Sequence, residues 1–224
     1  MPPNAAALLL LADGRLPAGG YAHSGGLEAI IHARGVCDPD SLERFLTGRA
    51  LTSGLVAASF AAAACDASTA SDLDRLQKLD PELDARIPSE ALRSVSRILG
   101  RQLLRAVTAI HPHPRFGTIS GAPHQPIVFG VAASAFELTA RDAALAVLHE
   151  SVAGPAAASV KLLSLDPFSV HAALARLAPL LDRLSVEAAE YAGSQPEELP
   201  AAGAPLLDIA AEHHASRDVR LFAS

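Results

Sequence analysis

The apolar residues between Leu92 and Ile110 recur at steps of 3, 4, 4, 3 and 4 positions, which is the spacing of one face of an α-helix. The stripe consists of Leu92, Val95, Leu99, Leu103, Ala106 and Ile110. On the opposite face arginines recur every four residues, at Arg93, Arg97, Arg101 and Arg105. Like charges at this spacing repel by a few tenths of a kcal/mol per pair. We therefore predict an amphipathic helix opened by Pro88, whose arginine row is either a solvated face or is relieved by carboxylates of a neighbouring element or of a partner.

A second apolar stripe follows Asp166-Pro167, and its steps of 4 and 3 residues alternate as in a coiled coil. It consists of Val170, Leu174, Leu177, Leu181, Leu184, Ala188 and Tyr191. Because Pro179 interrupts the pattern, we expect this face to pack inside the chain's own core.

The remaining apolar segments also favour helices. We predict them over residues 5–12, 24–33, 39 to about 65, 127–138, 140–165 and 206–215. Start signals are the Asp38-Pro39 pair and the capping spacing from Thr139 to Asp142. A further helix is predicted from Ser71, with a break near Asp80-Pro81, and Gly154-Pro155 is expected to kink or interrupt the helix that follows Thr139, because proline removes a helical hydrogen bond.

Composition agrees with helices and not with sheets. Half of the residues are hydrophobic, but aromatics make up only 4% and tryptophan is absent. No segment alternates as a strand does, so we predict an all-α, single-domain helical bundle. The bundle is expected to occupy residues 1–192. Residues 193–224 are expected to form a linker, a short helix and a flexible tail that docks on a partner.

Charge and cysteine content narrow the functional classes. The net charge of −6 argues against a nucleic-acid binder. The first four residues lack a basic region, and uncharged runs such as residues 51–65 fall short of the ~18 residues of a membrane span. Cys37 and Cys65 make neither a disulfide framework nor a zinc motif, and His111 and His113 alone complete no metal site. We expect a cytoplasmic protein without a bound metal or cofactor of its own.

Residues 16–28, reading LPAGGYAHSGGLE, carry the densest group of unusual residues. Their spacing fits neither a P-loop, nor a dinucleotide-binding motif, nor a nucleophile elbow. Two interpretations remain open. The stretch is a tight interhelical turn with Ser24 as helix cap, or it belongs to a small-molecule-binding protein or hydrolase with His23 as base and Ser24 as nucleophile.

The same stretch, extended to Leu9, resembles the N-terminal signature of the UreF family of urease accessory proteins. That family shows the pattern L-x-x-x-D-x-x-L-P-x-G-x-[FY]-x-H-S-x-G-L-E. It is matched here by Leu9, Asp13, Leu16, Pro17, Gly19, Tyr21, His23, Ser24, Gly26, Leu27 and Glu28. The resemblance continues in GRQLL from Gly100, in HQPIVFG from His124 and in the terminal RDVRLFAS from Arg217.

The resemblance implies a non-catalytic assembly factor. UreF-like proteins form helical dimers that sit between a second accessory protein, UreD or UreH, and the GTPase UreG, and the complex delivers nickel to apo-urease. Implied partners are therefore these two proteins, apo-urease and a second copy of the chain, with an influence on GTP hydrolysis.

The candidate partner-binding residues fall into three groups. Tyr21, His23, Ser24 and Glu28 come from the glycine-rich stretch. Arg101 and Lys161, the latter in an otherwise uncharged run, are hypothesised to meet the GTPase. In the tail, Arg217 and Arg220 are expected to supply charge-assisted hydrogen bonds, and Leu221 and Phe222 to enter an apolar pocket on the UreD/UreH-type protein.

Overall fold

The computed structural model describes residues 4–216 and 221–222, apart from the side chain of Tyr21, and these residues contain helices and no β-strand. The helices are α1 (Ala5–Leu11), α2 (Leu27–His32), α3 (Pro39–Arg49), α4 (Leu55–Ala70), α5 (Leu73–Ala85), α6 (Glu90–Ile110), α7 (Gln125–Ala135), α8 (Ala140–Leu163), α9 (Pro167–Glu190) and α10 (Pro205–Ala215). Short 3-10 turns occur at Gly20–Ala22, Pro114–Thr118 and Pro196–Glu198. The all-α prediction is confirmed.

Helices α4 and α7 pack closely against each other in the centre of the domain. Both are rich in alanine, and nearly every residue of α7 is buried. A Cβ atom at Gly130 of α7 would overlap the backbone of Ala61 and Cys65 on α4. Small residues on both helices therefore allow their backbones to approach each other.

Helices α8 and α9 cover this central pair and pack against each other and against α4. Most of the predicted stripe on α9, including Val170, Leu177 and Leu184, is buried. The prediction that this stripe forms intramolecular core is confirmed.

The predicted helix starts are correct in three places. Asp38 accepts a hydrogen bond from the Ser41 amide at 2.7 Å, Thr139 and Asp142 form a capping box, and Asp166 caps α9. These local signals act within one helical turn, so the sequence alone was enough to locate them.

The predicted break near Asp80-Pro81 was wrong, and of the two alternatives at Gly154-Pro155 an interruption of the helix does not occur. Pro81 lies inside α5 and Pro155 inside α8. In α5 the neighbouring Leu79 and Leu83 are fully buried, and their burial outweighs the hydrogen bond that the proline removes. The helix that begins at Pro39 also runs further than expected, to Ala70, through a π-helical turn at Ala50–Gly54.

The arginine row is partly relieved by carboxylates of α5. Arg97 donates to Asp80 at 2.9 Å and to Asp84 at 2.8 Å. Its neighbour one turn later, Arg101, is exposed, and within the described residues it has no carboxylate within 4.0 Å. The two alternatives predicted for the row therefore both occur, at different ends of α6.

Two continuous helices, Pro39–Ala70 and Ala140–Leu163, are long and apolar enough to cross a membrane by length and composition. Both helices contain charged residues, so they are longer than the uncharged runs considered in the sequence. Of the most apolar 18-residue stretch of each helix, 72% and 56% are buried inside the bundle, as is typical of core helices.

Candidate partner-binding site

Three glycines shape the turn between α1 and α2. Gly19, Gly25 and Gly26 have φ angles of 84°, 59° and 86°, a region that L-residues with a side chain rarely adopt. A Cβ at Gly26 would also overlap the side chain of Leu207 on α10. Gly20 has an ordinary φ, but a Cβ there would lie 3.0 Å from Oε1 of Glu150. The predicted tight turn is therefore present, with positive φ angles at three of these glycines and a close contact at Gly20.

Arg49 connects this turn to the bundle through two hydrogen bonds. Its Nη1 donates to the carbonyl oxygen of Gly25 and its Nε to that of Ser151, both at 2.8 Å. Burial lowers the pKa of Arg49 to about 10, while the carboxylate of Glu150 acts in the opposite direction. A guanidinium stays charged at this pKa, so Arg49 holds two backbone carbonyls at neutral pH.

Glu150 lies beneath the same turn. Both of its carboxylate oxygens accept from Nε2 of Gln125, at 3.1 and 3.2 Å. Burial raises the pKa of Glu150 to about 7, although the Gln125 hydrogen bond and the charge of Arg49 oppose this shift. The carboxyl group therefore titrates near neutrality.

A cavity of about 620 Å³ is lined by residues of the turn, α8 and α9. Its polar lining includes His23, Arg49, Gln125, Glu150 and Lys161, and the ring of Phe222 also contributes to the wall. The size falls within the range of small-molecule pockets, and most of the lining is apolar. No group of three or more His, Cys, Asp or Glu side chains in the described part of the chain could hold a metal ion.

Glu28, the last residue of the signature, is 3% exposed at the start of α2. Its Oε1 accepts from the amide of Leu221 at 3.0 Å and its Oε2 from the amide of Phe222 at 2.9 Å. His214 of α10 lies alongside, with Nε2 3.7 Å from Oε2 of Glu28. The structure thus joins the N-terminal signature to the C-terminal tail.

Ser24 and His23 occupy different environments. Ser24 is fully buried, and its Oγ accepts from the Glu28 amide at 3.3 Å. It therefore satisfies a donor of the first turn of α2, as expected of a helix cap, although α2 itself begins three residues later, at Leu27. His23 is half-buried and lines the cavity. A buried serine held by this hydrogen bond is not available as a nucleophile.

The remaining predicted residues are distributed over the surface. Lys161 is exposed on α8, with its Nζ 6.0 Å from the ring centroid of Phe222. Arg101 is exposed on α6, next to Gln102, whose side chain occupies the space beside Gly19. The side chain of Tyr21, and all of Arg217 and Arg220, lie outside the described residues.

Phe222 differs from its sequence expectation. Leu221 and Phe222 were both expected to enter an apolar pocket on a partner, yet Phe222 packs against the hydrophobic core of the chain's own bundle, while Leu221 stays exposed. The reason is that Glu28 supplies two acceptors for the tail backbone, a contact between residues almost two hundred positions apart.

Three residues of this site were not predicted from the sequence. They are Arg49, Glu150, and Gln125, which donates a hydrogen bond to Glu150. A usable signal existed, since both charged residues stand in largely apolar helical segments, as Lys161 does. A charge in such a position must find a partner or reach water.

Comparison with known proteins places the sequence in a family. The UreF family model matches residues 36–178. The urease accessory protein UreF of Mycolicibacterium vanbaalenii is 40% identical over 219 residues, which is 98% of each chain. The chain belongs to the UreF family.

Other relatives lead to the same family. The UreF proteins of Mycobacterium sp. (strain JLS) and of Mycobacterium tuberculosis are 40% and 37% identical, over 97% and 98% of both chains. UreF proteins are urease accessory proteins of a non-catalytic, chaperone type, so the chain is not an enzyme and the hydrolase alternative with His23 and Ser24 is set aside. Its role is with other components of urease maturation.

Proposed function

We propose that this chain is a cytoplasmic scaffold of urease maturation that works as a homodimer. It joins a UreD/UreH-type accessory protein and a UreG-type GTPase, influences GTP hydrolysis, and so helps the complex to insert nickel into apo-urease. Nickel is the cargo of that complex in this proposal.

The observation that carries the proposal is the apolar surface around α10 and the tail. Leu206 and Ile209, three residues apart on one face of α10, are 78% and 55% exposed, and Leu221 is 75% exposed. Large apolar side chains grouped on one element in this way are typical of protein–protein contact surfaces. We assign this face, together with Arg217, Arg220 and Phe222, to the UreD/UreH-type protein.

Two exposed cations, Arg101 on α6 and Lys161 on α8, form no ion pair with the described residues, since neither has a carboxylate of these residues within 4.0 Å. Exposed cations of this kind accelerate and orient encounters with an acidic partner surface. We assign them, with the neighbouring Tyr21 and His23 of the turn, to the GTPase.

Pull-down of the GTPase, with and without the second accessory protein, tests the assignment. Arg101→Glu and Lys161→Glu should each weaken the complex on the order of tenfold at low salt, and the loss should shrink as salt is added. Arg183→Glu is the matched control, because Arg183 is also exposed on a helix and lies on α9. Binding that is unchanged by both reversals would move the interface to another face.

A further inference from the structure

The guanidinium of Arg49 holds the backbone of the glycine-rich turn against the bundle. Its Nη1 donates to the carbonyl oxygen of Gly25 and its Nε to that of Ser151 on α8, both at 2.8 Å. A planar guanidinium that donates from two of its nitrogens fixes the direction of the contact as well as its distance. His23, which lines the cavity, stands two residues before Gly25, so its place in the turn depends on this contact.

The carboxyl group of Glu150 is a second acceptor within reach of the same turn. A Cβ at Gly20 would lie 3.0 Å from Oε1 of Glu150, so the carboxyl group lies directly against the turn backbone. Arg49 and Glu150 shift each other's pKa, but these two described residues form no ion pair within 4.0 Å. Both carboxyl oxygens instead accept from the neutral Nε2 of Gln125, at 3.1 and 3.2 Å. The nearby cation is thus used by the turn and not by the acid.

The two possible acceptors of Arg49 differ in strength once Glu150 loses its proton. A guanidinium binds a carboxylate more strongly than a neutral carbonyl, because both partners are then charged and two parallel hydrogen bonds can form. A buried carboxylate also requires a cation or water beside it. Burial raises the pKa of Glu150 to about 7, and the attraction of Arg49 opposes this shift. The charge that competes for Arg49 therefore appears within the neutral pH range.

The other titratable groups around the cavity do not contribute to this shift. The pKa of Glu150 responds to burial, to Gln125 of α7 and to Arg49 of α3. The further titratable side chains in the cavity wall are Asp13 after α1, His23 in the turn, His149 and Lys161 on α8, and His171 on α9. Asp13 is paired with Arg15 at 2.9 Å. Arg49 is accordingly the cation that answers an ionised Glu150.

We propose that Arg49 is a positioning residue for the partner-binding turn, and that an ionised Glu150 withdraws its guanidinium from Gly25. With Glu150 protonated, Arg49 holds the Gly25 carbonyl and the turn presents His23 as in this structure. With Glu150 ionised, the guanidinium rotates towards the carboxylate and the turn is released. The functional consequence rests on the proposed function, in which this turn contacts the GTPase. The GTPase then binds the protonated form and is released as the pH rises.

The populations of the held and released states follow from the protonation of Glu150. With a pKa of about 7, about nine tenths of the molecules carry this proton at pH 6 and about one tenth at pH 8. When a partner binds one state alone, its apparent affinity is reduced by the fraction of molecules in that state. We therefore expect the contribution of Glu150 to weaken GTPase binding about tenfold between these two pH values.

The amide ¹⁵N chemical shift of Gly26, measured by NMR on the full-length protein, tests the switch without any partner. This nitrogen is bonded to the carbonyl carbon of Gly25, so it responds when that carbonyl loses its hydrogen bond to Arg49. In the wild type the shift should titrate with a midpoint near pH 7, and Glu150→Gln should lack this titration. Glu187→Gln, the same change at an exposed site of α9, should titrate like the wild type. An invariant signal in the wild type, or a titration that persists in Glu150→Gln, would overturn the switch.

Arg49→Gln separates the guanidinium from a direct effect of the carboxylate charge. Glu150 still titrates in this variant, but no guanidinium can leave Gly25, so the Gly26 signal should change by a much smaller amount. An undiminished titration would show that Gly26 senses Glu150 directly and would remove the role of Arg49. Should this buried substitution prevent folding, the comparison of the wild type with Glu150→Gln still supports or overturns the switch.

Titration with a UreG-type GTPase tests the consequence for assembly. Comparing Glu150→Gln with Glu187→Gln at each pH removes the titration of the GTPase itself. The two variants should bind equally at pH 6, and Glu150→Gln should bind about tenfold more tightly at pH 8. Equal binding at pH 8 would overturn the regulation. If the wild type does not bind the GTPase at any pH, the proposed function fails, while the Gly26 titration still decides whether the switch exists.

Discussion

Glu150 is the residue whose protonation should most affect the stability of the free protein. Its pKa of about 7 exceeds the ordinary glutamate value because the carboxyl group is buried. Between about pH 4.5 and 7 the folded chain therefore binds more protons than the unfolded chain, so this group's contribution to stability falls as the pH rises through that window.

Glu150→Gln should remove this dependence. Relative to the wild type, the variant should gain on the order of 3 kcal/mol in free energy of unfolding between pH 4.5 and 8, because an amide never becomes charged. Urea denaturation of both proteins over this pH range measures the difference. A difference between the two proteins that is flat with pH would contradict the raised pKa of Glu150.

Gly26 tests the geometry of the glycine-rich turn. Gly26→Ala should lower the free energy of unfolding by about 1 kcal/mol or more, because φ is 86° and the new Cβ would meet Leu207. Gly48→Ala is the opposite case, since Gly48 lies in α3 and no atom stands within 4 Å of the place that its Cβ would take. Gly48→Ala should stabilise the protein by up to about 1 kcal/mol. Urea denaturation measures the free energy of unfolding of both variants. Equal effects at both positions would contradict the turn geometry.

At the scale of elements, a hydrogen-bonded junction formed by Asp80, Asp84, Ser96, Arg97 and His124 connects α5, α6 and the start of α7. Asp80 accepts the His124 amide through Oδ1 at 2.7 Å and Arg97 through Oδ2 at 2.9 Å. The fully buried His124 ring also contacts Asp84 and Ser96, each at 3.0 Å. The junction thereby sets the start of α7, and with it Gln125 beside Glu150.

Asp80→Ala should destabilise the protein by about 2–3 kcal/mol, because it leaves the buried His124 amide without its acceptor and removes one of the two carboxylates that pair with Arg97. Thermal and urea unfolding measure this loss. Asp182→Ala, at an exposed position of α9, should cost less than about 0.5 kcal/mol. Similar losses in both variants would show that the junction contributes nothing specific.

At the scale of the whole molecule, the tail connects stability with assembly. Deleting residues 217–224 should leave the helical content by circular dichroism almost unchanged, since the described helices end at Ala215. The melting temperature should fall by a few degrees, because Glu28 loses two donors and Phe222 leaves the core. Binding of the UreD/UreH-type protein and urease activation should be abolished.

The decisive measurement for that deletion is co-purification with the partner. A truncated chain that melts at a lower temperature but still assembles would show that the tail serves only its own bundle. Truncation after residue 222 provides the control, because it removes two terminal residues and keeps the Glu28 contact.

The sequence by itself determined the helical class, the three capped helix starts and the stripes on α6 and α9. Each of these depends on residues within one or two turns of each other, where spacing and cap chemistry act without the rest of the fold. The signature from Leu9 to Glu28 likewise indicated the family and a glycine turn, because backbone conformations open mainly to glycine leave a visible record in the sequence.

Only the tertiary structure decided which of these local tendencies prevail and which distant residues meet. Pro81 and Pro155 remain inside helices because burial of their neighbours outweighs a lost hydrogen bond. The clamp from Arg49 to Gly25 and the contact from Glu28 to Phe222 join residues far apart in the chain. No local pattern specifies such pairs, since a buried charge requires a partner without indicating where in the sequence that partner stands.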